Sequence, residues 1–94
     1  MEQQLAVKRL AELGHDTRMS VYRLLVRAGN NGLPVGDVQE RLEVSGPTLS
    51  HHIHRLINAG LVRQERDGRT LYCYAELDAL RDVVGFLEAE SCTL

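Results

Sequence analysis

Two short helices and the connection between them decide the fold. The helical stretches are VGDVQERL and PTLSHHIHRLINA, and EVSG connects them, within residues 35–59. Apolar residues recur at helical spacing in residues 35–42 and again from Pro47 to about Ala59. Residues 43–46 form a short connection, and Pro47 occupies the first turn of the second helix, where a missing N–H costs little. Two helices joined by such a turn form a helix-turn-helix, a motif whose second helix enters the major groove of DNA.

A β-hairpin is predicted directly after the second helix. Residues 61–66 and 69–74 both alternate between apolar and polar side chains. The Asp67-Gly68 dipeptide between them is the strongest short-range sequence signal for a hairpin turn. Arg66 and Arg69 flank this turn, so we expect the hairpin to act as a wing that reaches neighbouring phosphates or the minor groove.

Three further helices complete the predicted architecture. They are expected over residues 2–13, over Thr17–Ala28 with Asp16 as the N-cap, and over Leu77–Ser91. The predicted order is α-α-α-α-β-β-α in a single domain of residues 1–94. This order predicts a mostly α fold with a β-hairpin wing, an α+β fold of the winged helix-turn-helix type.

The first and last helices carry apolar stripes. The core of so short a chain is too small to bury them fully. A protein of 94 residues buries only about 60–65% of its unfolded surface, so docking against a second copy would stabilise it. We therefore expect the terminal helices to form a homodimer interface. The candidate interface residues are Leu5, Leu10, Leu80, Val83, Val84 and Leu87.

Composition excludes several classes of protein. Hydrophobic residues at 44% and charged residues at 26% are ordinary for a globular domain. No apolar run approaches the roughly 20 residues needed to span a bilayer, and no basic segment followed by an apolar one suggests a secretory signal. Two cysteines, Cys73 and Cys92, are too few for a disulfide-stapled scaffold. We therefore expect a cytoplasmic protein with reduced thiols and no membrane association.

Charge is unevenly distributed along the chain. The net charge is −2 overall, but residues 45–74 carry +2 and residues 75–94 carry −4. The basic segment contains the second helix of the helix-turn-helix and the hairpin. Binding responds to local potential, so this pattern indicates a localised anionic partner.

One face of the second helix is suited to reading DNA. Its apolar residues at 49, 53, 56 and 57 define the buried side, and hydroxyl, imidazole and guanidinium groups occupy the opposite face and its flanks. These groups bond to base edges and phosphate oxygens. With the wing arginines, the candidate DNA-binding residues are Thr48, Ser50, His51, His52, His54, Arg55, Arg66 and Arg69. A merely solvated polar face is the alternative interpretation.

The segment from Leu49 to Val62 resembles the recognition helix and following strand of the ArsR/SmtB winged-helix repressors. The usual pattern of that family is Ser-x-His-Leu-x-x-Leu-x-x-Ala-Gly-Leu-Val. The resemblance extends to the wing at residues 66–69 and back to residues 13–18. It implies a prokaryotic, nucleoid-associated homodimer, joined through its first and last helices, that binds double-stranded operator DNA of pseudo-palindromic sequence until an inducer releases it.

The sequence lacks both of the usual metal sites of that family. Pro34 and Gly36 stand where the Cys-x-Cys pair of the third helix would lie. On the last helix Asp78 matches the acidic ligand, but Leu80 replaces the histidine and no histidine follows. One carboxylate cannot build the four-coordinate site that zinc prefers. No required cofactor is therefore expected.

The remaining thiols leave one candidate sensor. Ser91-Cys92 resembles the adjacent cysteines that end the last helix of arsenic-responsive members, with Ser91 replacing the first cysteine. Trivalent arsenic prefers two or three thiolates, so Cys92 is a candidate ligand or redox thiol if the dimer supplies another. An inert terminal cysteine is an equally open interpretation. Cys73 lies in a predicted strand and is expected to pack in the core.

No enzymatic constellation is present. Ser50 and His51 are adjacent on a helix, so their side chains point about 100° apart and cannot share a proton. No glycine-rich phosphate loop occurs, and two helical imidazoles without a carboxylate or thiol make a weak metal site. The sequence therefore predicts a transcriptional repressor that is not an enzyme. The alternative is a winged-helix module that binds another protein and neither DNA nor an inducer.

Overall fold

Five helices and a three-stranded antiparallel sheet build the protein, and the computed structural model describes all 94 residues. In chain order the elements are α1 (Gln3–Leu13), α2 (Asp16–Ala28), a 3₁₀ turn (Gly29–Asn31), β1 (Leu33–Pro34), α3 (Val35–Leu42), α4 (Gly46–Asn58), β2 (Val62–Asp67), β3 (Thr70–Ala75) and α5 (Leu77–Glu88). The predicted winged helix-turn-helix fold of the α+β class is confirmed. The helix-turn-helix consists of α3 and α4, and the wing consists of β2 and β3.

The sheet contains one strand that the sequence analysis missed. Its order is β1-β3-β2, so β3 lies in the centre, and Leu33 of β1 pairs with Cys73 of β3. Two residues are too few to show any alternation, which is why β1 gave no signal. The preceding Gly32 has a φ of +63°, and a Cβ there would lie 2.6–2.7 Å from atoms of Tyr74 and Cys73. Glycine is therefore required where the chain enters the sheet.

The hairpin turn lies one residue later than predicted. Asp67 pairs with Thr70 at the end of the ladder, so the two-residue loop is Gly68-Arg69 rather than Asp67-Gly68. Gly68 has a φ of +62° and Arg69 has an ordinary negative φ. Glycine in the first of two loop positions is the pattern of a type II′ turn, which matches the twist of the flanking strands.

The helices begin and end within one residue of the predicted bounds except at the end of α5, and the N-cap of α2 also differs. Asp16 is not the N-cap of α2, because His15 occupies that position and its Nδ1 accepts a hydrogen bond of 3.2 Å from the backbone N–H of Thr17. Helix α5 ends at Glu88, three residues before the expected end. Gly60 closes α4 as predicted, with a φ of +76°. Its left-handed geometry lets the backbone N–H groups of residues 60 and 61 reach the last carbonyls of the helix.

The core lies between the helices and one face of the sheet. Its fully buried side chains are Val21, Leu25, Val38, Leu49, Ile53, Leu56, Leu61, Cys73 and Val83. Val83, predicted at a dimer interface, is only 1% exposed within one protomer, so that assignment was wrong. It lies one turn after Ala79, on the side of α5 that packs inward, and α5 contacts α1. Leu80 is half-buried against the same core.

Large apolar side chains remain exposed on the two terminal helices. Leu5 and Leu10 of α1 and Val84 and Leu87 of α5 are all exposed, with Leu87 at 63%. These four predicted interface residues therefore have no covering partner within the protomer. None of the helices is both long enough and apolar enough to cross a bilayer.

Candidate nucleic-acid interface

Helix α4 presents a polar face to solvent. Leu49, Ile53 and Leu56 point into the core at a spacing of three to four residues. The opposite face exposes four of the predicted DNA-binding residues, Thr48, Ser50, His51 and His54. The first turn of α4 holds no acidic residue, and Pro47 lies within that turn.

His52 does not lie on this exposed face, and its assignment as a DNA contact was wrong. Its relative exposure is 8%, because it lies at the edge of the buried side of α4 and Arg18 and His15 cover it there. Its Nδ1 lies 3.2 Å from the Nη1 atom of Arg18 on α2. The imidazole of His15 packs against it with ring centroids 4.8 Å apart. Burial first, and then the nearby His15 and Arg18, lower the pKa of His52.

Arg55 reaches solvent but is already bound to a carboxylate. Its Nε and Nη2 atoms donate hydrogen bonds of 2.8 and 2.9 Å to the two carboxylate oxygens of Glu12 on α1. This paired geometry raises the pKa of Arg55 and lowers the pKa of Glu12. The Arg55 side chain is 47% exposed, but its guanidinium holds α4 to α1. The structure therefore does not present Arg55 as a free DNA-binding cation.

Glu12 and Arg18 were not recognised from the sequence. Arg18 is buried, and its Nε donates a 2.7 Å hydrogen bond to the backbone oxygen of Glu12 and lies 3.4 Å from the Glu12 carboxylate. A sequence signal existed, because Arg18 shares the helical face of Val21 and Leu25 and so falls in an apolar stripe. We refer to Glu12, His15, Arg18, His52 and Arg55 together as the polar node.

The wing carries the free positive charge of the basic segment. Arg66 and Arg69 are exposed, and neither is paired with a carboxylate. Arg63, in contrast, donates a 2.6 Å hydrogen bond to Glu76 and lies over the ring of Tyr74, 4.3 Å from its centroid. With Arg55 also paired, the unpaired cations of residues 45–74 are at the tip of the wing.

The C-terminal end of α4 has a second anchor on α1. Arg9 donates one hydrogen bond of 3.0 Å to the backbone oxygen of Ala59 and another of 3.2 Å to that of Ala79. It thereby ties the end of α4 and the start of α5 to α1. The polar node and Arg9 together fix the orientation of α4 on the protein.

The two cysteines occupy opposite environments. Cys73 is fully buried in β3, and burial raises the pKa of its thiol. Cys92 is exposed beyond the end of α5 and has a φ of +62°. No three His, Cys, Asp or Glu side chains lie close enough together to hold a metal ion.

Comparisons with known proteins identify this architecture. A family model described as a helix-turn-helix domain matches residues 13–65. The chain is 30% identical over 88 residues to the uncharacterised HTH-type transcriptional regulator YceK of Bacillus subtilis, covering 93% of this chain and 87% of YceK. It is 37% identical over 60 residues to a putative arsenical resistance operon repressor, ArsR, of Halobacterium salinarum, covering 64% of this chain and 46% of ArsR. The chain belongs to the helix-turn-helix transcriptional regulators and resembles their ArsR/SmtB members.

The solved structures similar to this helix-turn-helix regulator show the same fold. An ArsR-like transcriptional regulator from Rhodococcus sp. RHA1 superimposes with a TM-score of 0.82 at 24% identity, covering 93% of this chain and 79% of that one. The relatives are transcriptional regulators, which confirms the prediction of a non-enzymatic regulator.

Proposed function

We propose that this helix-turn-helix regulator is a repressor of the ArsR/SmtB type that binds double-stranded operator DNA of pseudo-palindromic sequence as a homodimer. The observation that carries the proposal is the acid-free exposed face of α4 beside two unpaired arginines on the wing. Helix α4 would enter the major groove, as the second helix of this motif does. The wing would then lie along the flanking backbone.

The exposed groups divide by their chemistry into two roles. Ser50 and His51 lie on the exposed face of α4, where hydroxyl and imidazole groups are suited to base edges. Thr48 and His54 are exposed beside them and would contact base edges or the adjacent phosphates. Arg66 and Arg69 are exposed cations on a hairpin and are suited to phosphate oxygens. The exposed residues of α4 would supply the preference for a DNA sequence, and the wing arginines would supply affinity for any sequence.

Dimerisation is proposed through α1 and α5. Leu5, Leu10, Val84 and Leu87 are apolar, exposed and confined to these two helices. A second copy of the chain would cover all four and place two copies of α4 on successive half-sites of a palindrome. Leu80 and Val83 contribute by supporting α5 from within the protomer.

Release of DNA by an inducer is assigned to Cys92. Cys92 is the exposed thiol, and it follows the helix that we assign to the dimer interface. We propose that a trivalent arsenical or an oxidant reacts there in the cytoplasm, with no cofactor needed for DNA binding. Cys73 is excluded from this role by its burial.

The decisive experiment measures binding of the protein to the DNA upstream of its own coding sequence. Fluorescence anisotropy at two salt concentrations, with a scrambled duplex of equal length, should show tighter binding to the upstream DNA. Specific binding by proteins of this kind typically exceeds non-specific binding by about 10³-fold or more. Equal, weak binding to both duplexes would contradict the proposal and favour a protein-interaction module.

A further inference from the structure

We infer that His52 is a proton-sensitive positioning residue of the DNA-reading helix. Helix α4 would keep its DNA-binding orientation only while the His52 imidazole is neutral. The inference rests on the proposed operator binding and adds a regulation of that same interface by pH. The observation behind it is the contact of 3.2 Å between His52 Nδ1 and Arg18 Nη1.

The protonation state of His52 follows from the chemistry of its partner. An arginine guanidinium carries only donors, so a hydrogen bond from Arg18 requires that Nδ1 of His52 hold a free lone pair. The proton of the neutral ring must then lie on Nε2. Adding a second proton places an N–H on Nδ1 against the N–H of Arg18, and the hydrogen bond becomes a contact between two cations.

The surroundings of His52 cannot absorb that added charge. Arg18 faces it from α2, His15 from the turn before α2, and His51 and Arg55 lie near it on α4. Glu12 on α1 is the carboxylate of the polar node, and it is already shared between the two guanidinium groups. The charged side chains of the polar node therefore sum to +1, and a proton on His52 would raise this to +2 in a largely buried position.

The side chain that yields would be His52 rather than Arg18. Arg18 keeps two other contacts, to the backbone oxygen and the carboxylate of Glu12, whereas the contact with Arg18 is the one side-chain hydrogen bond of His52. His52 lies at the edge of the buried face of α4, one residue from the exposed His51. The DNA-reading residues lie in the first half of α4. Expulsion of the His52 imidazole would loosen this half of the helix from α2.

The direction of the pH effect follows from the lowered pKa of His52. A histidine whose folded-state pKa lies below its unfolded value, near 6.5, binds fewer protons when folded. Its contribution to stability is therefore complete above about pH 6.5 and is lost as the pH falls through the folded-state pKa. Operator binding should weaken over the same range, by up to about tenfold for each pH unit below that pKa.

The experiment must separate His52 from the other histidines of α4. His51 and His54 lie on the exposed face that we assign to DNA contact, so the comparison must hold them constant. His52→Asn is the matched variant, because its Oδ1 can replace Nδ1 as the acceptor from Arg18 and cannot be protonated. Both proteins keep His51 and His54, so the ratio of their dissociation constants isolates His52.

The test combines DNA binding with a measurement that needs no variant. Between pH 7.5 and 5.0, the operator dissociation constant of the wild type relative to His52→Asn should be constant at first and then rise. In the free wild-type protein, ¹⁵N NMR should find Nδ1 of His52 unprotonated at pH 7.5 and the titration midpoint of His52 below the ordinary value near 6.5. A ratio that does not change with pH, or an Nδ1 that is protonated at pH 7.5, would overturn the inference. Failure of both proteins to bind DNA at pH 7.5 would instead contradict the proposed function, and the NMR titration would still decide the role of His52.

Discussion

Glu12 on α1 binds Arg55 on α4 through two hydrogen bonds of 2.8 and 2.9 Å, across 43 residues of sequence. The same carboxylate lies 3.4 Å from Arg18 on α2. One buried acid therefore joins three helices, including the helix that we propose reads DNA. The Arg55 guanidinium therefore holds α4 in its orientation. We assign base reading to the exposed hydroxyl and imidazole groups of the same helix.

Replacing Glu12 by glutamine should destabilise the protein at neutral pH. The variant leaves two guanidinium groups without a countercharge, and we expect a loss of about 1–2 kcal/mol in the free energy of unfolding, measured with urea. The pKa of Glu12 is lowered in the folded state, mainly by the hydrogen bonds from Arg55. Its stabilisation is therefore complete above the unfolded value, about 4.3, and is lost as the pH falls through the folded-state pKa.

The difference between wild type and Glu12→Gln should consequently shrink below about pH 4. Glu65→Gln is the matched control, because Glu65 also pairs with an arginine but both side chains are about half exposed. It should change the stability by less than about 0.5 kcal/mol. Equal effects of the two substitutions would show that the polar node contributes no more than a surface ion pair.

Alanine at Arg66 or Arg69 should weaken binding to every DNA sequence by a similar factor. Each change removes one exposed cation that we assign to phosphate contact, so the slope of log K against log salt should fall by about 1 for each arginine. Arg23→Ala on α2 is the control, because it removes an arginine that is also exposed and unpaired but lies away from the wing. A loss confined to the operator would contradict the assignment of the wing to phosphates.

Alanine at Ser50 or His51 should have the opposite signature. Both residues lie on the exposed face of α4, so the expected loss is about 1–3 kcal/mol on the operator and almost nothing on a scrambled duplex. The measurement is competition between the two duplexes at constant salt. If both duplexes lose the same affinity, these residues contact the backbone and the sequence is read elsewhere.

The sequence predicts what depends on local spacing and misses what depends on distant partners. The limits of α3 and α4 follow from apolar residues three and four apart, and the hairpin follows from two alternating segments around a glycine. Gly68 belongs to both candidate turns, and the register that pairs Asp67 with Thr70 decides between them. Strand β1 forms because it pairs with the edge of β3. The two residues of β1 carry no sequence pattern that predicts this pairing.

The candidate site divides in the same way. The exposure of Thr48, Ser50, His51 and His54 follows from the helical period. His52 sits at the boundary of the buried face, and its partner Arg18 lies 34 residues earlier in the chain. Its inward orientation is therefore a tertiary property that the period of a single helix does not reveal.

Aspartate at Val84 or Leu87 should convert the protein to a monomer. Both side chains are exposed on α5, so the charge adds little strain within the protomer but would be buried without a partner in the proposed dimer, at a cost of several kcal/mol. Leu80→Asp would be less informative, because Leu80 packs on the protomer's own core. Sedimentation velocity should report monomer for both variants, with loss of operator binding.

Gln39→Glu adds the same change in net charge on α3 and should remain a dimer. A Leu87→Asp variant that sediments with the wild type would place the interface elsewhere than on α5.

Serine at Cys92 should abolish release of DNA by trivalent arsenicals while leaving operator binding intact. Cys92 is exposed beyond α5, but trivalent arsenic prefers two or three thiolates, so a single thiol there is a weak ligand. Stable capture needs the thiol of each protomer: arsenite, As(OH)₃, would form two As–S bonds and release two molecules of water. Mass spectrometry of the wild type should then find one arsenic for every two chains.

Cys73→Ser should respond like the wild type, since that thiol is buried in β3. Release that persists in Cys92→Ser would show that the inducer acts at another site.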